Sequence, residues 1–355
     1  MLGRRSLLKG AAAAAGAIAA PAIVSRAQET LTIAAFGGEF RPLFIKHVIE
    51  PFEQKYSCKV IYDDSGGLAY FARIRAARGA PGFDVAAQIS APDIILGAKE
   101  NLLDRITEKE VPNLKYVWPK STQLIPPYGV IQHYQYLSLL WNRNHIEAPT
   151  TWLDYWQPGS RYGDRIKGHV IGHSLAANPE IASYSLIMGA KSVGGSDRDM
   201  EGAWGLLEKQ KPYLGFVATS SASAVPYIEN DQVWLMPFWS SRSALYASRG
   251  FPYEMAIPKE GTFALPDCGA IPVGGGSKQL AFAFLNHRLD PDIQRAFCQA
   301  YFIGPGRPDI TDWPESFAAQ QVTTQAKMDS MVFADQEFLA AQTRDWTLRW
   351  QEIMA

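Results

Sequence analysis

The segment Val233 to Val273 holds the side chains best suited to grip a charged small molecule. An apolar run, Val233–Phe238, ends in Trp239-Ser240-Ser241-Arg242, and a second, Ala270–Val273, follows Asp267. Trp239 offers a π face to a cation, worth about 0.5–2 kcal/mol depending on desolvation. Asp267, set between apolar flanks, neutralises an ammonium, and a carboxylate there needs a partner because unpaired burial is costly. Arg242 presents the guanidinium fork that grips carboxylates through two hydrogen bonds. An Arg and an Asp in one cleft suit a ligand bearing both charges. Far upstream, Gly37-Gly38-Glu39 closes an apolar run and opens a helix, where free backbone N–H groups can hold an anionic or polar group.

Elements that alternate strand and helix must bring these residues together. Leu31–Phe36 reads as a strand, and Phe44, Val48, Phe52 and Tyr56 recur every four residues, so a helix is expected over Pro42–Tyr56. Strands at Lys59–Tyr62 and Phe83–Ala87, with a helix at Ala69–Arg78 between them, extend the series. This order means a parallel sheet wrapped by helices, an α/β fold in which ligands sit at strand ends. Val130–Trp141 alternates and carries His133, Tyr134 and Tyr136. Beyond it lie a strand at His169–Gly172, helices at Asn178–Ala190 and Ser196–Lys211, and a short one at Pro226–Asn230 that contains Tyr227. Helices at Lys278–Asn286 and Pro291–Phe302 follow, and residues 311–355 form two or three closing helices. Trp152 and Trp156 share a helix face and read as core.

The chain's 355 residues are enough for two lobes. Arg4-Arg5-Ser6-Leu7-Leu8-Lys9, an alanine-rich run to Val24 and Ser25-Arg26-Ala27 have the form of a twin-arginine export signal. Cleavage after Ala27 removes four basic residues and no acids, moving the net charge from −1 to −5. No basic stripe remains for nucleic acid. Cys58, Cys268 and Cys298 are too few for a disulfide framework, though one bridge would be possible in an oxidising compartment. His169 and His173 flank a strand, where four residues span roughly 13 Å, so no metal site is expected. Gly274-Gly275-Gly276-Ser277-Lys278 lacks phosphate-loop spacing and reads as a tight turn. No nucleophile or dinucleotide motif is present, so neither a cofactor nor catalysis is expected.

In order along the chain, the strand ending in Gly-Gly, the helix ending Pro51-Phe52-Glu53, Phe83-Asp84-Val85, Trp141-Asn142, Pro149-Thr150-Thr151-Trp152-Leu153-Asp154-Tyr155-Trp156, Trp239, Pro258-Lys259-Glu260-Gly261 and Asp267 resemble the periplasmic solute-binding proteins of ABC importers, in their spermidine/putrescine-binding branch. The resemblance implies a two-lobed clamshell fold of the type II periplasmic class with hinge crossovers. The first lobe would hold residues 28–136 and 268–310, the second 137–267, with closing helices at 311–355. It implies a monomeric periplasmic receptor that delivers an amine to a membrane permease and its ATPase, with Trp239 and Asp267 holding the amine. Glu39, Ser90, Tyr134, Ser240 and Tyr227 complete the expected ligand-binding set. A receptor for another organic solute, or an enzyme on the same fold, is the alternative.

Two departures from that branch matter. The aromatic expected two residues before the Asp is Leu265, and the aromatics after Phe83-Asp84-Val85 are replaced by Ile89-Ser90-Ala91-Pro92. The cage for a long dication is thinned while Arg242 adds a fixed cation. The ligand is therefore expected to carry a carboxylate as well as an amine.

Overall fold

A computed structural model describes residues 29–65 and 70–355. The expected export signal lies outside the described residues.

The first strands, β1 (Thr30–Ala34), β2 (Lys59–Asp63) and β3 (Val85–Ile89), pair in parallel in the order β2-β1-β3. Between them run α1 (Phe40–Phe44), α2 (Glu50–Tyr56) and α3 (Tyr70–Ala76), and α4 (Ala91–Lys99) follows β3. The helix expected over Pro42–Tyr56 is continuous from Phe40 but widens to a π-helical stretch at Ile45–Ile49. Its apolar face (Phe40, Phe44, Val48, Phe52) is buried against the sheet as the four-residue spacing dictates. A short α5 (Ser121–Leu124) leads into the thirteen-residue β4 (Val130–Asn142).

β4 belongs to two sheets. Val130–Tyr136 pairs antiparallel with β9 (Thr262–Ala270), which also joins β3, so this half completes the first sheet. Leu137–Trp141 pairs with β7 (Leu235–Trp239) and Leu139–Asn142 with β8 (Tyr253–Ala256), forming the second sheet with β5 (Val170–His173) and β6 (Leu214–Ala218). The full order is β2-β1-β3-β9-β4-β7-β5-β6. Around the second sheet lie α6 (Leu153–Trp156), α7 (Pro158–Tyr162), α8 (Pro179–Ser192), α9 (Glu201–Gln210), α10 (Val225–Glu229) and α11 (Ser240–Ser248). The second of these amphipathic helices starts five residues later than expected, because residues 196–199 form a bridged turn instead.

After β9 the chain stays with the first sheet. α12 (Lys278–Arg288) and α13 (Pro291–Tyr301) bury Phe284, Leu285 and Phe297 in one core with Phe44 and Phe52. β10 (Gly304–Pro305) adds to β4 and β11 (Met331–Val332) to β9; neither was anticipated. α14 (Glu315–Gln320), α15 (Gln325–Ser330) and α16 (Gln336–Met354) close the chain. Trp346 of α16 packs edge-on to Trp204 of α9, while Glu337 pairs with Lys99 of α4, so α16 touches both lobes. Trp152 and Trp156 are fully buried core, as their spacing required.

The glycine turn also has an internal explanation. The N–H groups of Gly276 and Ser277 donate to Asp84 Oδ1 at 2.7 and 3.1 Å. The turn thus holds a carboxylate of the chain itself. All three cysteines are free and buried.

Candidate functional site between the two sheets

β4 and β9 run side by side through the junction of the lobes, and alternation along them decides what faces the site. His133 lies opposite Asp267 and Gln135 opposite Leu265, so these four side chains share one face. Tyr134 and Tyr136 point to the other. Two residues of strand separate Leu265 from Asp267, roughly 7 Å.

Trp239 ends β7 and packs in the same apolar cluster as Leu265, with Tyr184 of α8 edge-on at 6.3 Å. Its strand-end position matches expectation, but it is only 8% exposed, so the ring is core as well as wall. Asp267 is not at a strand end. It sits inside β9, within the first sheet, where pairing with β4 has already begun at Ala264. Its Oδ2 accepts from Gln88 Nε2 at 3.2 Å, lies 3.2 Å from His133 Nδ1 and is 3.8 Å from Arg288 Nη2. His133 Nε2 lies 3.2 Å from Gln294 Nε2 and Nδ1 lies 3.4 Å from Arg288 Nη2; because the Asp267 carboxylate only accepts, the ring proton that bonds it sits on Nδ1. Burial holds His133 below the usual histidine range, so it is neutral, and Asp267 and Arg288 form the charged pair. Asp267 Oδ1 has no hydrogen-bond partner among the described residues.

α11 begins directly after Trp239 and carries Ser240, Ser241 and Arg242. Ser240 is fully buried and its Oγ accepts from the Tyr136 N–H, so it fixes α11 to β4 rather than facing a ligand. The next residue, Ser241, donates to Gln135 Oε1 at 2.9 Å on the site face. Arg242 is half-buried and makes no ion pair among the described residues. Its charge acts on Tyr301, the last residue of α13, as do Asp267, Glu39 and the Ser241 hydroxyl, so Tyr301 marks where the two lobes meet. Burial pushes the Tyr301 hydroxyl up, keeping it a neutral donor.

Gly38 adopts φ +60°, a left-handed turn that favours glycine. The N–H groups of Gly37, Gly38 and Glu39 donate to none of the described residues. Glu39 itself is taken: its carboxylate pairs with Arg249, at the end of α11, at 2.5 Å across the junction.

Other expected site residues fall elsewhere. Tyr134 is fully buried on the opposite face of β4, with its hydroxyl 2.8 Å from that of Ser121. Tyr227 stacks on Phe216 at 4.2 Å on the face of the second sheet away from Trp239. Ser90 caps α4, accepting from the Asp93 N–H at 3.2 Å.

One carboxylate was missed. Glu180, in the first turn of α8, makes no hydrogen bond or ion pair among the described residues and lies one turn from Tyr184, whose ring meets Trp239 edge-on. Burial pushes its carboxyl up to about 7. Nearby, His173 is pushed down to about 4 by burial; its Nε2 donates to Pro237 O and its Nδ1 accepts from Asn178, so it is a neutral structural ring. No group of residues able to hold a metal is found among the described residues.

Comparisons with known proteins agree with this architecture. The chain is 22% identical over 341 residues to the spermidine/putrescine-binding periplasmic protein of Escherichia coli strain K12, covering 91% of this chain and 89% of that protein. It is 20% identical over 320 residues to the gamma-aminobutyric acid-binding protein of Pseudomonas aeruginosa, covering 87% and 86%. A solved extracellular solute-binding protein from Bordetella parapertussis superposes with a TM-score of 0.75 at 23% identity, over 92% of this chain and 99% of that one. These neighbours share the two-lobed fold. Residues 47–348 match the bacterial extracellular solute-binding proteins, and the chain belongs to that family.

Proposed function

We propose that this protein is the receptor of an ABC importer for a small zwitterionic amine, one that carries an ammonium and a carboxylate a few bonds apart. It captures the solute between the lobes, performs no reaction on it and hands it to a membrane permease. We place the lobe boundaries at Tyr136/Leu137, where β4 passes from β9 to β7, and near Ala264, where the pairing of β9 with β4 begins. Hinge bending there would open and close the site.

One observation carries the reading. Glu39 and Asp267 each have a cation of the chain beside them, whereas Arg242 has no carboxylate. A dication would meet two carboxylates already engaged and an uncompensated guanidinium. A ligand carboxylate would instead find Arg242, with Tyr301 and the Gly37–Glu39 N–H groups as further donors. Its ammonium would lie against Trp239, between Glu180 and the free oxygen of Asp267. That relatives bind polyamines in one case and an amino acid in the other supports a site whose ligand class is set by such charges.

The test is Arg242→Met. Calorimetric titration should show affinity for an ω-amino acid falling at least tenfold while affinity for the matching diamine is unchanged or improved. An equal loss for both, or none for either, would remove Arg242 from the site.

A further inference from the structure

Arg288 stands out among the buried groups. Its side chain is 0% exposed, on α12 in the first lobe. Nη1 donates to Ala87 O at 2.5 Å, and the guanidinium carbon lies 4.9 Å from the Phe44 ring centroid. Nε has no partner. The carboxylate within ion-pair distance of it is Asp267, at 3.8 Å. Burial pulls the guanidinium down to about 10, so it remains charged at neutral pH. A fixed cation thus sits behind Asp267, an acid carried by a strand of the first sheet.

We propose that Arg288 sets the charge class of the ligand by acting as the buried counter-ion of Asp267. Resting on the zwitterion reading above, the inference assigns Arg288 as a positioning residue that never touches the solute. With Arg288 behind it, Asp267 presents a dipole to the site, whose attraction falls off faster with distance than that of a lone carboxylate. One ammonium against Oδ1 is tolerated; a second positive charge gains nothing from the floor of the site. His133 and Gln88 hold Oδ2 toward Arg288, which leaves Oδ1 as the oxygen free for a ligand. Without Arg288 the same carboxylate would be a full negative charge in a low-dielectric setting, the arrangement that favours cations most strongly.

The experiment compares putrescine with 4-aminobutanoate, which differ only in one charged end, by calorimetry on the parent, Arg288→Met, Arg288→Lys and the Asp267→Asn/Arg288→Met double variant. Arg288→Met is expected to shift the affinity ratio toward putrescine at least tenfold. Arg288→Lys, which keeps the charge, and the double variant, which removes both, are expected to stay within threefold of the parent ratio. An Arg288 that merely supports packing would lower both affinities together and leave the ratio alone; that result overturns the inference. If Arg288→Met does not fold, Arg288→Gln, which removes the charge but keeps a donor for Ala87 O, decides: a tenfold shift toward putrescine there supports the proposal, and a parent-like ratio overturns it. A parent that prefers putrescine sinks the zwitterion reading instead, so the two failures are distinguishable.

Discussion

Replacing Asp267 with Asn removes the carboxylate beside Arg288 and keeps the shape. The Asn oxygen can still accept from Gln88 and His133, so the hydrogen bonds to Oδ2 survive. The guanidinium does not recover its counter-ion: at 0% exposure it cannot reach water, and its Nε is already unpaired. Breaking a buried pair by deleting one partner costs about 3–5 kcal/mol. The 3.8 Å separation and the retained bond to Ala87 O place this case at the lower end, about 3 kcal/mol. At about 2 cal/mol/K of unfolding entropy per residue, a chain of this size should lose roughly 4–5 °C in Tm. Adding Arg288→Met should return most of that loss, because the stranded charge goes with it. Differential scanning calorimetry of the parent, both single variants and the double variant gives the coupling directly. An Asp267→Asn protein with parental Tm but abolished amine binding would refute the reasoning and make Asp267 a ligand contact alone.

Other outcomes follow from the same structure. Trp239→Leu keeps an apolar side chain in the shared cluster but removes the π face, so amine affinity should fall roughly 2- to 30-fold, equivalent to about 0.5–2 kcal/mol, in calorimetric titration. Trp239→Ala should in addition lose about 3–5 kcal/mol of stability, because the ring is core. Glu180, raised to about 7, binds its proton more tightly folded than unfolded, so it lowers stability as pH rises from about 4.5 to 7; Glu180→Gln should flatten that decline in a Tm-versus-pH series. An ammonium against Glu180 should drive proton release near pH 6.5, seen as buffer-dependent binding enthalpy that Glu180→Gln abolishes. His173 and His287, both pushed down to about 4 by burial, act oppositely: their contribution is intact above about 6.5 and lost as pH falls to 4, so His287→Gln should shrink the acid-side drop in Tm.

What the sequence revealed and what it hid divide along physical lines. The strand-end position of Trp239 was legible because an apolar run ends there and a helix begins. The helix spacing that put Trp152 and Trp156 in the core was equally direct. Two of the expected site residues are off by one position. Tyr134 and Ser240 are buried anchors, while their neighbours Gln135 and Ser241 face the site. Strand alternation gives two faces but does not say which one meets the cleft until a partner strand is known. Asp267 looked like the end of an apolar run because a charge rarely continues a buried strand; His133 in register and Arg288 behind it allow β9 to run on. Arg288 itself sits in Asn-His-Arg-Leu-Asp, which reads as an exposed helix end. Glu180 follows Asn178-Pro179 at a helix start, where an acid ordinarily complements the helix dipole, and that local role conceals any other.

The central claim, a ligand with both charges, is tested most directly by competition at one site. The protein would be titrated with 4-aminobutanoate, putrescine and butylamine at pH 7.5 and low salt. Tightest binding of 4-aminobutanoate, at least tenfold ahead of both others, is the result predicted. Tight binding of putrescine with no heat from 4-aminobutanoate would contradict the claim and remove Arg242 from the site.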